Sequence, residues 1–124
     1  MIKTVFFDSS AWIELFEATE KGSKIKDLKN TEIISSPINL YEIHRKYSKI
    51  SDALAIERVD DIIENTAMIL VDGGIAVRAA QLRKKYTFSM ADAIILATAE
   101  QEKAELITTD SDFKVVDEVK VTFI

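Results

Sequence analysis

Short apolar segments that alternate with longer amphipathic segments are the feature that most limits how this chain can fold. Strands that are apolar on both sides and separated by helices are typical of a parallel sheet covered on both faces. The sequence therefore predicts one α/β domain over residues 1–124, with a central parallel sheet of about five short strands flanked by helices on both faces. The predicted strands are 2–7, 32–35, 67–71, 106–108 and 119–124.

The helices between these strands are predicted from apolar residues at helical spacing. A short helix after Asp8 is expected to place Trp12 in the core, and the polar segment 19–30 contains Gly22, which weakens any helix there. Pro37 after Ser36 favours a helix start. The longer predicted helices are 37–49, 52–65 (with Ala55, Val59, Ile62 and Ile63 inward), 73–86 and 89–103.

Composition excludes several classes of protein. The chain has no cysteine, which rules out disulfides, a thiolate nucleophile and a cysteine zinc site. Its one histidine, His44, cannot form a two-histidine acid/base pair. The net charge of −5 argues against a protein that holds nucleic acid by charge alone. No apolar run reaches membrane-spanning length and the start is too short for a signal peptide, so we expect a cytoplasmic protein with no membrane partner.

Asp92 lies in the stretch 89–99 of the last predicted helix, which is apolar on nearly every side. Such a helix is normally buried, and burying a carboxylate without a partner is costly. Two interpretations are open at this point. Ser89 and Asp92 fit a capping box, with Ser89 as the N-cap and Asp92 at the third helical position. Alternatively, the carboxylate has a partner from elsewhere, for which a metal ion is a candidate.

Other acids are predicted at one edge of the sheet. Asp8 directly follows the first strand, and Asp110 and Asp112 follow the fourth. Ligand sites form at the carboxyl ends of parallel strands, where the chain order reverses. Glu42 lies in the first half of the helix at 37–49. Each acid also has an ordinary interpretation, since Asp8 and Asp110 can cap helices and Glu42 can be solvated.

Four segments in the same order resemble the PIN-domain nucleases, particularly the small VapC toxins of VapBC toxin–antitoxin pairs, across essentially the full length. The matching segments are Phe7-Asp8-Ser9-Ser10-Ala11-Trp12, Asn39-Leu40-Tyr41-Glu42-Ile43, Ser89-Met90-Ala91-Asp92-Ala93-Ile94-Ile95 and Thr108-Thr109-Asp110-Ser111-Asp112-Phe113. The resemblance implies that an acidic metal-binding and catalytic cluster is formed by Asp8, Glu42, Asp92 and Asp110, supported by Asp112 and by the small polar residue Ser9.

The resemblance also implies an activity. We expect an endoribonuclease that cleaves RNA with water, using Mg²⁺ or Mn²⁺, which hard oxygen ligands favour over zinc. Asp8 and Asp92 are expected to hold the better-occupied ion. The cations near Glu42, which are Arg45, Lys46 and Lys49, either bind substrate phosphates or form a solvated helix face.

Members of this family are held inactive by an antitoxin and commonly form homodimers, so the resemblance implies both partners. Two alternatives remain open from the sequence. One is a catalytically silent RNA- or protein-binding module of the same fold. The other is an RNA-processing nuclease that is not a toxin.

Overall fold

The computed structural model describes residues 2–124, and within this range five strands form one parallel sheet. The strands are β1 (Lys3–Phe7), β2 (Thr31–Ser35), β3 (Ala67–Met68), β4 (Glu105–Thr108) and β5 (Val121–Phe123). Their order across the sheet is β3-β2-β1-β4-β5. The strands β2 and β3 therefore lie on one side of β1, and β4 and β5 lie on the other. The predicted α/β fold with a parallel sheet is confirmed.

Helices cover both faces of this sheet, as predicted. They are α1 (Ser9–Phe16), α2 (Glu20–Ser23), α3 (Pro37–Tyr47), α4 (Asp52–Asn65), α5 (Gly73–Lys85) and α6 (Met90–Gln101), with a 3₁₀ helix at Ser111–Val115. Successive side chains of a strand point to opposite faces. Phe6 of β1 accordingly packs in an apolar cluster with α5 and α6, whereas Val5 and Phe7 pack with α1, α3 and α4.

No helix among residues 2–124 combines the length and the apolar character that crossing a membrane would require. The helix with the most buried residues, α6, is 12 residues long, and its buried positions pack against the sheet and α5.

The start of α3, which Pro37 after Ser36 predicts, is fixed by local hydrogen bonds. Ser36 is the N-cap: its hydroxyl accepts from Ile38 N at 3.2 Å, and its backbone N–H donates to the side chain of Asn39 at 2.9 Å, which completes a capping box. Pro37 at the first helical position costs no hydrogen bond, because an N–H there has no partner within the helix. Because β2 ends at Ser35, α3 begins directly at the carboxyl edge of the sheet. This brings the first turns of α3 close to the end of β1.

Two details differ from the sequence prediction. The third strand was expected at 67–71, but β3 ends at Met68 because its neighbour β2 stops at Ser35 and turns into α3. Only one further ladder bond, from Ile69 N to Ser35 O at 2.8 Å, follows it. The prediction for Ile63 was wrong, since its side chain is 49% exposed while Ile62 is fully buried.

Candidate active site

The order of the strands reverses between β1 and β4, and acids follow both strands. Asp8 comes directly after β1, and its backbone N–H continues the ladder to Ile107 O at 3.1 Å. Asp110 lies just beyond β4 and caps the 3₁₀ helix. A crevice outside the carboxyl ends of the strands at such a reversal is the usual ligand position in open α/β sheets. Two of the predicted acids, Asp8 and Asp110, therefore lie at the carboxyl edge of the sheet, as the sequence predicts.

An open cavity of about 360 Å³ at this edge contains all four acids of the predicted cluster. Its polar lining consists of Asp8, Ser9, Ser10, Glu42, Asp92 and Asp110, together with the cations Arg45, Lys46 and Lys49. The acids come from the ends of two strands and from α3 and α6, so distant parts of the chain converge here. The three cations are exposed residues of α3 and its C-terminal end, and they lie on the same side of the cavity as Glu42.

Asp8 is the most deeply buried of these acids, at 5% exposure. Its Oδ1 accepts hydrogen bonds from Ala11 N at 3.0 Å and Ser10 Oγ at 2.6 Å, and its Oδ2 accepts one from the hydroxyl of Thr108. Burial raises the pKa of the Asp8 carboxyl, and the hydrogen bonds from Ser10 and Thr108 oppose this. Asp8 therefore caps α1 and lines the cavity at the same time, so its two interpretations are compatible.

Glu42 is joined to the end of β1 through Ser9. The Ser9 hydroxyl donates to Glu42 Oε1 at 2.7 Å, and the side chain of Asn39 donates to Ser9 Oγ at 3.3 Å. This contact fixes α3 relative to the residue next to Asp8. The small polar residue that the sequence placed beside the first acid is thus in contact with the second.

Asp92, Asp110 and Asp112 each offer a carboxylate oxygen, and these oxygens lie within 4.8 Å of one another. Ser89 is the N-cap of α6, because Asp92 N donates to Ser89 Oγ at 3.1 Å, which is the serine half of the predicted capping box. Asp112 is exposed, and its backbone N–H donates to Asp110 Oδ1 at 2.9 Å. A set of hard carboxylate oxygens at this spacing fits a divalent cation such as Mg²⁺ or Mn²⁺.

The acids of the cavity raise one another's proton affinity. Burial and, after it, the negative charges of Asp110 and Glu42 together raise the pKa of Asp92 to about 6, against a smaller opposing effect of Ser89. The carboxylates therefore repel one another when all are ionised. A proton or a bound cation relieves that repulsion.

This repulsion predicts how stability changes with pH. Because the folded protein holds the Asp92 proton more tightly than the unfolded chain, the stabilising contribution is present below about pH 4 and is lost as the pH rises to about 6. In metal-free buffer, Asp92→Asn should raise the free energy of unfolding at pH 7 by about 1 kcal/mol, after allowance for solvent screening. Urea unfolding of both proteins from pH 4.5 to 7 measures this, and a difference that does not grow with pH would contradict it.

Three polar residues of the site were not identified from the sequence. Ser10 and Thr108 bond Asp8, and Thr108 also accepts a hydrogen bond from Asp110 N at 2.9 Å. Asn39 is fully buried behind Ser9. The available signal was a polar side chain at a position otherwise typical of core, as at Thr108 in an apolar strand. That signal does not say which partner the side chain has.

Two basic residues that precede α6 in the sequence, Arg83 and Lys85, and the single histidine, His44, take no part in the contacts of the cavity. Arg83 Nε donates to Phe88 O at 3.1 Å, and Lys85 pairs with Glu118 at 2.8 Å. His44 is exposed on α3. The cations of α3 are therefore the ones that the structure places beside the acids.

A parallel sheet of this order with an acidic cavity at its reversal point defines a class of α/β protein that binds ligands at the strand ends. Within that class, the PIN-domain family model matches residues 5–119. The chain belongs to the PIN-domain family. A search of curated proteins gives no significant match.

Solved structures agree with this family. A chain of a toxin–antitoxin complex from Klebsiella pneumoniae is 28% identical, with a TM-score of 0.73 and coverage of 93% of this chain and 94% of that chain. A chain of DNA-bound VapBC from Salmonella typhimurium is 17% identical, with a TM-score of 0.81 and coverage of 99% and 98%. VapC20 of Mycobacterium tuberculosis, a sarcin-ricin loop cleaving toxin, is 16% identical, with a TM-score of 0.74 and coverage of 93% and 98%.

Proposed function

We propose that this protein is a divalent-metal-dependent endoribonuclease that acts in the cytoplasm as the toxin of a type II toxin–antitoxin pair. The observation that carries the proposal is the convergence of Asp8, Glu42, Asp92 and Asp110 on one open cavity, with cations along one side. Carboxylates brought together in this way repel one another, so the arrangement does not stabilise the fold by itself. They are suited to hold cations at a phosphodiester.

The comparisons support the toxin part of the proposal. The similar structures include a toxin–antitoxin complex and a VapC toxin described as cleaving the sarcin-ricin loop. By analogy, we propose RNA as the substrate, a cognate antitoxin protein as a partner and a homodimer as the assembly. A short reading frame beside the gene that relieves growth arrest on co-expression would favour a toxin over a general RNA-processing nuclease.

In this proposal the four acids hold the metal, and Asp112 supports Asp110. When bound, divalent cations lower the pKa of the attacking water and offset the negative charge that develops on the phosphate and the leaving oxygen. Hydrogen bonds from Ser10, Thr108 and Ala11 N keep the Asp8 carboxylate in place before any ligand enters. Such preorganisation spares the site a rearrangement during the reaction.

Metal removal is the direct test. We expect cleavage of single-stranded RNA to fall to background in EDTA and to return when excess Mn²⁺ or Mg²⁺ is added. The reason is that the acids alone provide no Lewis acid to activate the water or to stabilise negative charge on the phosphate. The measurement is gel analysis of an end-labelled RNA. An RNA with a 2′-deoxy substitution at the cleaved position should still be cut, because water rather than the 2′-hydroxyl is the nucleophile.

The same assay separates the enzyme from a silent binding module of the same fold. A module would retain RNA in a filter-binding assay equally well with and without EDTA and would leave the RNA intact. Cleavage that persists in EDTA would instead contradict the metal-dependent mechanism.

The cations beside the cavity are expected to bind substrate phosphates. Replacing Arg45, Lys46 and Lys49 by alanine should raise KM for RNA about 10-fold and weaken its salt dependence, because each lost phosphate contact reduces counterion release. The matched control is alanine at Lys21, Lys24 and Lys29, exposed lysines outside the lining of this cavity. An equal rise in KM in both triple variants would indicate a general effect of charge rather than phosphate binding by the cations beside the cavity.

A further inference from the structure

We propose that Asn39 is a positioning residue for Glu42 and that it acts through the hydroxyl of Ser9. The inference rests on the proposed function, since it concerns how the acidic cavity is prepared for a divalent cation. It starts from Asn39 itself, a fully buried polar side chain one turn before Glu42 on α3.

Three hydrogen bonds fix the orientation of the Asn39 amide. Its Oδ1 accepts from Ser36 N at 2.9 Å, and its Nδ2 lies 3.3 Å from both Phe7 O and Ser9 Oγ. A flipped amide would place its oxygen against the carbonyl of Phe7 and its N–H groups against the N–H of Ser36. Both contacts would be repulsive, so only one orientation satisfies the site.

The fixed amide decides where the Ser9 proton goes. A serine hydroxyl has one proton to donate, and Asn39 donates to its oxygen. The Ser9 proton is then directed to Glu42 Oε1, which lies 2.7 Å away. Asn39 therefore sets the direction in which the Glu42 carboxylate faces the cavity, although it does not line the cavity itself.

The test compares Mn²⁺ affinity, measured by calorimetry without RNA, and the kcat for RNA cleavage in a double-mutant cycle. Asn39→Leu and Ser9→Ala should each weaken Mn²⁺ binding about 10-fold, which is the scale for groups that orient metal ligands. The double variant should be no weaker than either single variant, because both changes break one chain of contacts. Ser9→Thr keeps the hydroxyl and should restore binding.

Thr98→Val is the matched control, because it removes a fully buried hydroxyl from α6, the helix of Asp92, without touching the cavity. Thr98 Oγ1 donates to Ile94 O at 2.7 Å. Its Mn²⁺ affinity should match the wild type, even if the variant is less stable. Asn39→Ser serves as a second variant if Asn39→Leu does not fold, because its small polar side chain strains the site less.

Some outcomes would overturn the inference. Wild-type Mn²⁺ affinity in Asn39→Leu or Asn39→Ser would end the positioning role while leaving the proposed function intact. Losses that multiply in the double variant would show that Asn39 and Ser9 act independently, which contradicts a role of Asn39 through Ser9. An equal loss in Thr98→Val would show that only general stability is affected. A wild-type protein that binds no Mn²⁺ would overturn the inference and the proposed function together.

Discussion

Replacement of Asp92 with asparagine should lower RNA cleavage in Mn²⁺ by at least about 100-fold, since even groups that merely support metal ligands contribute ~10- to 100-fold. The carboxylate lies within 4.8 Å of those of Asp110 and Asp112 and lines the same cavity as Asp8 and Glu42. Asparagine keeps the size and the helical position but removes the charge that holds a cation. The measurement is the single-turnover rate on end-labelled RNA.

Asp72→Asn is the matched control for this prediction. Asp72 is an acid outside the lining of the cavity, and its Oδ1 accepts from Ile75 N at 2.8 Å as the exposed N-cap of α5. Asparagine caps a helix about as well as aspartate, so the control should keep both fold and cleavage. Full activity in Asp92→Asn, together with full activity in Asp8→Asn, would mean that the acids are not metal ligands.

The convergence of the acids could be anticipated from the sequence, for a specific physical reason. Asp8 and Asp110 each follow an apolar strand, and parallel strands place their carboxyl ends at the same edge. The topology then brings them together without further information. Asp92 was conspicuous because its helix is otherwise apolar, and seven consecutive residues after it are indeed buried.

The hydrogen bonds around the acids could not be anticipated in the same way. Thr108 donates a hydrogen bond to Asp8, which is 100 positions away in the sequence, and Asn39 donates one to Ser9, which is 30 positions away. The first contact depends on the register of β1 beside β4, and the second on the register of β1 beside β2, which α3 follows. Both also depend on side-chain rotamers, and apolar periodicity determines neither. The sequence shows which polar residues are out of place, whereas only the structure shows their partners.

The length of the edge strand β3 and the residues of α4 that face the core could also not be predicted from the sequence. A strand at the edge is limited by its one neighbour, so the apolar run after Ala67 outlasts β3 itself. Ile63 is apolar yet exposed because Ile62 already occupies the position facing the core. An apolar residue beside a buried one need not be buried.

Gly22→Ala should destabilise the protein by about 3 kcal/mol, at the upper end of the usual cost of overpacking. Gly22 is buried in α2, where an added Cβ would lie 2.2 Å from Glu14 O and 2.6 Å from its carbonyl carbon. Both atoms belong to the backbone of α1, which cannot move aside as a flexible side chain could. The glycine that weakens a helix by propensity is thus the residue that lets α2 approach α1. Urea unfolding at constant m-value measures the loss.

Gly73→Ala provides the matched control for the same substitution. Gly73 opens α5, and a Cβ added there meets no atom within 4 Å. Alanine has the higher helix propensity and restricts the unfolded chain, so stability should stay level or rise by about 0.5 kcal/mol. Equal losses in the two variants would show that glycine is needed for chain flexibility in general. A loss of stability in Gly22→Ala alone would show that the glycine is needed for the close contact between α2 and α1, the helix that Asp8 caps.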